Sequence, residues 1–160
     1  MGMSYRMMIT VQLNRKAEFD RLWKWAKTYM QQASGPHRGY FVWHCRSDGF
    51  RIDDNAASDG EEWFVTALFF AAARWGNGEG LFNYQAEAQF TLDSMFDKGL
   101  DVNSPLVVTN MFNLHEKQVV FAPIGHLDEF TDPPITCPTF TNLGLCGMNR
   151  DAGFGGRQLP

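Results

Sequence analysis

The chain has 160 residues, of which 44% are hydrophobic, 20% charged and 14% aromatic, with a formal net charge of −4. That length suits one ordinary domain or part of a larger one, and the apolar content excludes a disordered tail. Without a basic excess, binding driven by phosphate charge is excluded and no nucleic-acid partner is expected; the longest nearly apolar stretch, Trp63 to Ala73, is too short to span a bilayer, and no signal-peptide pattern opens the chain, so no membrane partner is expected either.

Met3 to Leu13 is apolar with few charges and reads as a buried helix. It opens at the initiator methionine without a polar cap, as a cut chain would. Arg15 to Gln32 is the clearest helix, because Phe19, Leu22, Trp23, Ala26, Tyr29 and Met30 recur at three- and four-residue steps. Asn14 is predicted to cap its start, and Gly35–Pro36 to stop it. His37 to Ala57 reads as an irregular excursion with a strand-like centre, Tyr40 to His44, after which the polar run Arg46 to Asn55 turns back. Ser58 begins the second confident helix, where Ser58…Glu61 and Asp59…Glu62 both fit the capping-box spacing. Trp63, Ala67, Phe70, Ala71 and Arg74 follow one face while Phe64, Leu68 and Ala72 make the other apolar too, which predicts burial between neighbours. Gly76 ends it.

A third helix is predicted over about 83 to 98, with Tyr84, Ala88, Leu92 and Met95 inward and Gly99 as its stop. Leu106–Val108 and Gln118–Phe121, joined through Asn113 to Glu116, are predicted to pair as a β-hairpin. Past Asp132 the character changes: five glycines and four prolines fall between Pro133 and Pro160, and no apolar period survives. Successive helices with short loops and one hairpin insertion predict an all-α domain of paired helices.

Chemistry concentrates at Asp59-Gly60-Glu61-Glu62, three carboxylates within four residues at a helix start. They serve either as a cap placed favourably at the helix dipole or as an acid facing a cleft, where glycosidic-bond chemistry needs paired carboxyls. Trp43 is either a core aromatic or a flat platform for a sugar ring. His37 and His44 have no partner carboxylate at ligand spacing and read as structural. The three cysteines, Cys45, Cys137 and Cys146, are odd in number and widely spaced, so neither a disulfide framework nor a zinc site is expected, and Cys45 reads as a buried structural thiol. No metal and no cofactor is expected.

Gly2-Met3-Ser4-Tyr5, Trp43, the block from Asp59 to Gly76 and Phe130-Thr131-Asp132-Pro133 resemble glycoside hydrolase family 8, and within it the branch of xylanases and reducing-end xylose-releasing exo-oligoxylanases. The resemblance covers about residues 2 to 133 in order. It implies part of an (α/α)6 barrel, with residues 1–133 as a partial catalytic domain and 134–160 as a divergent tail. It also implies an inverting hydrolysis of β-1,4 links in xylan or xylo-oligosaccharides, by a glutamic acid that protonates the leaving oxygen and an aspartate that activates water on the opposite face. Motif alignment makes Asp59 the third carboxylate, which orients water and the distorted sugar, and places Trp43 and Tyr5 among the substrate-binding residues.

Two departures matter. Where the family reads Glu-Gly-Met-Ser-Tyr-Gly, this chain reads Met1-Gly2-Met3-Ser4-Tyr5-Arg6, so Met1 stands at the proton donor's position. No segment matching the aspartate base occurs before Pro160. The tail from about Pro134 is read as out of frame, since a one-base shift lets its codons spell the family's next helix. The chain is therefore expected to be an inactive fragment, with core faces at Phe19–Met30 and Trp63–Ala73 left open to self-association. The competing readings are a non-catalytic carbohydrate-binding helical module and a cellulase- or chitosanase-type specificity. Localisation is left open.

Overall fold

The computed structural model describes residues 2–98, 106–113, 117–126 and 136–137. Four helices dominate: α1 (Gly2–Gln12), α2 (Lys16–Trp25), α3 (Ser58–Trp75) and α4 (Tyr84–Phe96). All four fall where the apolar period places them, but three of their ends are built differently from the sequence expectation.

Asn14 does not cap α2. It takes a left-handed backbone (φ 57°) in the tight turn after α1, where Arg15 N–H donates to the Thr10 carbonyl at 2.8 Å. Its side-chain oxygen instead accepts from the Trp75 indole N–H at 2.7 Å, and the residue flanking α2 is Arg15, which makes no side-chain cap bond. At the other end, α2 widens into a π-helical turn, Ala26–Met30, and stops there rather than at Gly35–Pro36, because Gln31 turns extended (ψ 135°) to bridge Phe41. The capping boxes at Ser58 and Asp59 also fail to form. The flanking residue is Ala57, with no side-chain cap bond, and the Glu61 carboxylate is taken by the backbone of another segment. Two ends do match: Gly76, at φ 74°, terminates α3, and the Asn83 side chain caps α4 by accepting from Ala86 N–H at 3.2 Å.

The helices form two antiparallel pairs laid side by side. α1 and α3 run in the same direction, since Tyr5 meets Trp63 near their starts (ring centroids 5.5 Å apart) and Asn14 meets Trp75 at their ends. α2 and α4 are parallel as well: Lys16 Nζ donates to the Tyr84 hydroxyl at 2.7 Å, Lys27 pairs with Glu87 at 2.5 Å, and the Gln31 amide reaches Thr91 at 3.4 Å. Between the layers lies a core of Met7, Val11, Phe19, Trp23, Phe41, Phe64, Leu68 and Tyr84. Each such side chain contributes about 1.5–3 kcal/mol by leaving water. The Phe19 ring packs edge-on against Trp75 (5.3 Å) and Tyr84 (5.6 Å), and Trp23 N–H donates to the Leu81 carbonyl at 2.7 Å.

Phe19, Trp23, Ala26 and Met30 of the Phe19–Met30 stripe are thus covered within the chain itself, contrary to the expectation that the stripe would lie open, while Leu22 is half-buried and Tyr29 stays 41% exposed. α3 is less enclosed than its composition suggests. Phe64, Val65, Ala67, Leu68 and Ala71 are buried, whereas Phe70 is 50% exposed, because α1 and α4 flank the helix and leave its remaining side uncovered by described residues. Ile9 and Leu13 on or beside α1 are likewise exposed. On α4, Tyr84, Ala88, Thr91 and Met95 are buried and Leu92 is half-buried.

Among the described residues three small sheets accompany the helices, so this part of the chain is mostly helical rather than purely so. β1 (His44–Cys45) pairs with β2 (Arg51–Asp53) in the excursion before α3. The expected hairpin between Leu106–Val108 and Gln118–Phe121 does not form. β3 (Leu106–Val108) pairs instead with β6 (Ile124–His126), while β5 (Gln118–Val120) sits between β4 (Phe112–Asn113) and β7 (Thr136–Cys137). With β4 and β7 on its two edges, β5 has no edge left for β3. Burial of Val108, Met111 and Val120 in a second cluster with Tyr40, Ala56, Val65 and Met95 sets this arrangement. Met1, Gly99, residues 114–116, the boundary at 133/134 and the tail 138–160 lie outside the described residues.

Candidate functional site

The starts of the parallel helices α1 and α3 come together at one end of the molecule. There the Tyr5 hydroxyl donates to Asp59 Oδ2 at 3.5 Å, the long edge of hydrogen bonding, and the Tyr5 ring tilts against Trp63. Burial, and then the charge of Asp59, raise the Tyr5 phenol above its ordinary value, so it remains a proton-bearing donor. Asp59 lies in the first turn of α3, where the helix dipole favours a negative charge. The pair can therefore offer an acceptor and a donor to a water or a sugar hydroxyl.

The two other acids of the cluster differ from Asp59 in environment. Glu61 is 1% exposed, and its Oε1 accepts from the Phe41 backbone N–H at 2.8 Å. Burial pushes its carboxyl up to about 8, against the opposing pull of that N–H. Glu62 is half-buried, and desolvation followed by the Asp59 charge raises its carboxyl. Glu61 is sealed in the interior on a backbone N–H, whereas Asp59 sits in the first turn of the same helix beside a tyrosine hydroxyl.

Trp43 stands at the end of the buried segment Tyr40–Val42 and is itself 41% exposed, so it is not a core aromatic. Its ring lies 4.8 Å from that of His44, which is itself exposed. Nearby, the Asp53 carboxyl is held below its usual value by the Asn55 backbone N–H and then by the Trp43 side chain, which fixes the indole from one edge. Trp43 does not join Tyr5 and Asp59 directly. It lines a cleft of about 870 Å³ with Met3, Arg6, Ile9, Leu22 and Trp25, on the flank of α1 and α2. Gly2 and Met3 border that cleft while Tyr5 reaches Asp59, so the first turn of α1 separates the indole from the carboxylate.

Cys45 is half-buried, and burial raises its thiol. His37 is half-buried with Nδ1 lacking a hydrogen-bond partner, and desolvation, then Lys98, lower its pKa. Among the described residues, no group of three or more His, Cys, Asp or Glu side chains is placed to hold a metal ion. Among them, too, no helix is long and apolar enough to cross a membrane. The interior role of Glu61 escaped the sequence reading, which assigned it to a cap. The available signal was its position on the same stripe as Phe64, Val65 and Leu68, a spacing that marks a buried face.

Paired helices in two parallel layers, with an acidic helix start on one side of a short turn and an exposed indole on the other, define a helical-hairpin scaffold with an acidic, aromatic end. The model of glycosyl hydrolases family 8 matches residues 1–98, and the chain belongs to that family. It is 51% identical over 98 residues to the reducing-end xylose-releasing exo-oligoxylanase Rex8A of Paenibacillus barcinonensis, a match spanning 61% of this chain and 26% of that protein. It is 42% identical over 152 residues to a reducing end xylose-releasing exo-oligoxylanase of Halalkalibacterium halodurans, covering 94% of this chain and 37% of that one. Among solved structures, a family 8 xylobiose complex from Teredinibacter turnerae superposes with a TM-score of 0.71 at 56% identity, over 77% of this chain and 33% of its own. The chain therefore spans little more than a third, at most, of the relatives it matches.

Proposed function

We propose that this chain carries part of the (α/α)6 barrel of a xylan-degrading glycoside hydrolase and binds xylo-oligosaccharide at the end where α1 and α3 begin. In this reading Asp59 orients a water or a sugar hydroxyl, Tyr5 holds Asp59 and contacts the sugar, and Trp43 stacks on a pyranose face. The observation that carries it is the meeting of Tyr5 and Asp59 across 54 residues of sequence, at the adjoining starts of two parallel helices. Two side chains that the family motif assigns to one site are thereby neighbours in space.

Single-displacement hydrolysis also needs a protonated acid on the leaving oxygen and an ionised base behind the attacking water. The described first turn of α1 holds no acidic residue, and Glu61 is sealed from solvent. In this reading the 160-residue chain by itself binds xylo-oligosaccharide without turning it over. Loss of one general acid–base group alone removes about 10²–10⁴-fold in rate.

Titration with xylohexaose, followed by tryptophan fluorescence and calorimetry, tests both halves of the reading. Saturable binding is expected, weakened about tenfold or more by Trp43→Ala, on the order of one stacked ring's worth of free energy. No xylose should appear by chromatography. Release of xylose by the purified chain would overturn the assignment as a non-turning binder, and an absence of any binding would overturn the substrate.

A further inference from the structure

The segment Tyr40–Trp43 has four consecutive backbone N–H groups, and each is taken by a different part of the molecule. Tyr40 donates to the His37 carbonyl at 2.9 Å, Val42 to the Met30 carbonyl at 3.0 Å and Trp43 to the Asn55 carbonyl at 2.9 Å. Phe41 differs: its acceptor is a side chain, the Glu61 carboxyl, at 2.8 Å. That carboxyl belongs to α3, two residues beyond Asp59. The same helix grips the segment a second time, because the Phe41 ring stacks on Phe64, one turn further along (centroids 4.2 Å apart, planes at 25°).

We propose that Glu61 is a positioning residue whose buried carboxyl ties the Trp43-bearing segment to the start of α3, and so sets the indole platform relative to Asp59. The proposal rests on the reading of Trp43 and Asp59 given above. Tyr40, Phe41 and Val42 are all at most 2% exposed, so Phe41 N–H has no solvent to turn to if its acceptor is removed. A buried donor left without a partner costs far more than an average hydrogen bond contributes, and the segment would shift to satisfy it. A helix as long as α3 gives the carboxyl a rigid base, and the strut formed by one glutamate side chain is short.

Charged and titratable neighbours do not offer a substitute acceptor. Asp59 is engaged with Tyr5, Lys98 is a donor set over the Tyr40 ring at 3.9 Å, and the Tyr40 hydroxyl donates to the Thr109 carbonyl at 3.0 Å. The carboxyl is held largely in its protonated form near neutral pH by burial. Glutamine is then its closest mimic, being neutral, of equal length and able to accept the same N–H. Methionine fills similar volume and cannot accept it.

The test uses the full 160-residue chain in five forms: wild type, Glu61→Gln, Glu61→Met, Trp43→Ala and Leu68→Ala, the last a fully buried core residue outside the segment. Amide hydrogen exchange at Phe41, Val42 and Trp43 and calorimetric affinity for xylohexaose are measured on each. Glu61→Met is expected to speed exchange at these three amides about tenfold or more relative to amides in α1, and to weaken xylohexaose about tenfold. Glu61→Gln should stay within about twofold of wild type on both, the rescue that an acceptor role requires. Leu68→Ala should lower overall stability with no selective loss at residues 41 to 43. Equal damage in Glu61→Gln and Glu61→Met, or wild-type exchange and affinity in Glu61→Met, would overturn the proposal. So would a Glu61→Met profile that merely tracks Leu68→Ala. If Glu61→Met does not fold, Glu61→Gln against wild type decides alone: retained protection supports the strut and lost protection refutes it. Undiminished xylohexaose affinity in Trp43→Ala would instead defeat the platform reading, a failure visible separately from the exchange at Phe41.

Discussion

Raising the pH from about 5 to about 8 is expected to weaken the folded chain chiefly through Glu61, with a contribution of the same sign from the raised carboxyl of Glu62. Its carboxyl moves from an ordinary value of 4.5 to about 8, chiefly by burial, with the Phe41 N–H opposing the shift. A raised acid is one that the folded state holds protonated while the unfolded state has already let the proton go. Between about 4.5 and about 8 the native chain therefore binds more protons than the unfolded one, and stability falls as pH rises. The contribution is whole below about 4.5 and is gone above about 8. At about 1.36 kcal/mol for each unit, that interval amounts to about 5 kcal/mol, comparable with the whole stability of a small domain at about 5–15 kcal/mol. Urea unfolding followed by circular dichroism, repeated across the pH range, should show the midpoint sliding down and then levelling. His37, whose pKa burial and Lys98 lower, contributes a slope of opposite sign near its own range. It does so equally in wild type and in Glu61→Gln, so the difference between the two profiles isolates Glu61. The glutamine chain keeps the acceptor for Phe41 and loses the titration, and its midpoint should decline much less. Parallel pH profiles for the two proteins would refute the reasoning.

Two backbone positions carry further expectations. Gly39 sits at φ 90°, and a Cβ built there would stand 2.2 Å from Ser94 Oγ, so Gly39→Ala should lose about 1–3 kcal/mol in thermal or urea unfolding. Adding Ser94→Gly should recover the steric part and leave the conformational part. Asn14→Val should cost about 1–2 kcal/mol, since a β-branched residue is poorly suited to φ 57° and the Trp75 indole loses its acceptor. Asn14→Gly, which tolerates the backbone but not the hydrogen bond, should fall between valine and wild type; a valine chain as stable as wild type would contradict the assignment of strain to that turn.

Family membership was legible from motifs alone, and the four helices from their apolar period, because both are properties of neighbours in sequence. Spacing of three and four residues decides which side of a helix turns to the core, wherever that helix is placed. Helix ends were less legible. Asn14 and Ser58 carry the residue types of caps, and local spacing does not distinguish a side chain that folds back on its own helix from one recruited elsewhere. The hairpin expectation failed for a related reason: β3 and β5 have equal claims to a partner in sequence, and only the occupation of both β5 edges decides between them.

The candidate site divides in the same way. Asp59, Tyr5 and Trp43 were picked out by residue type and motif, yet nothing local says that Tyr5 meets Asp59 or that Trp43 stands on the far side of the α1 turn. The role of Glu61 depends on Phe41, 20 residues before it in the chain. A short stretch of sequence determines its own dihedral preferences and its apolar face. Which donor a buried carboxyl must satisfy is determined only when distant segments are packed together without water, and that is why tertiary structure alone turns an expected helix cap into a tie between the start of α3 and the segment that carries Trp43.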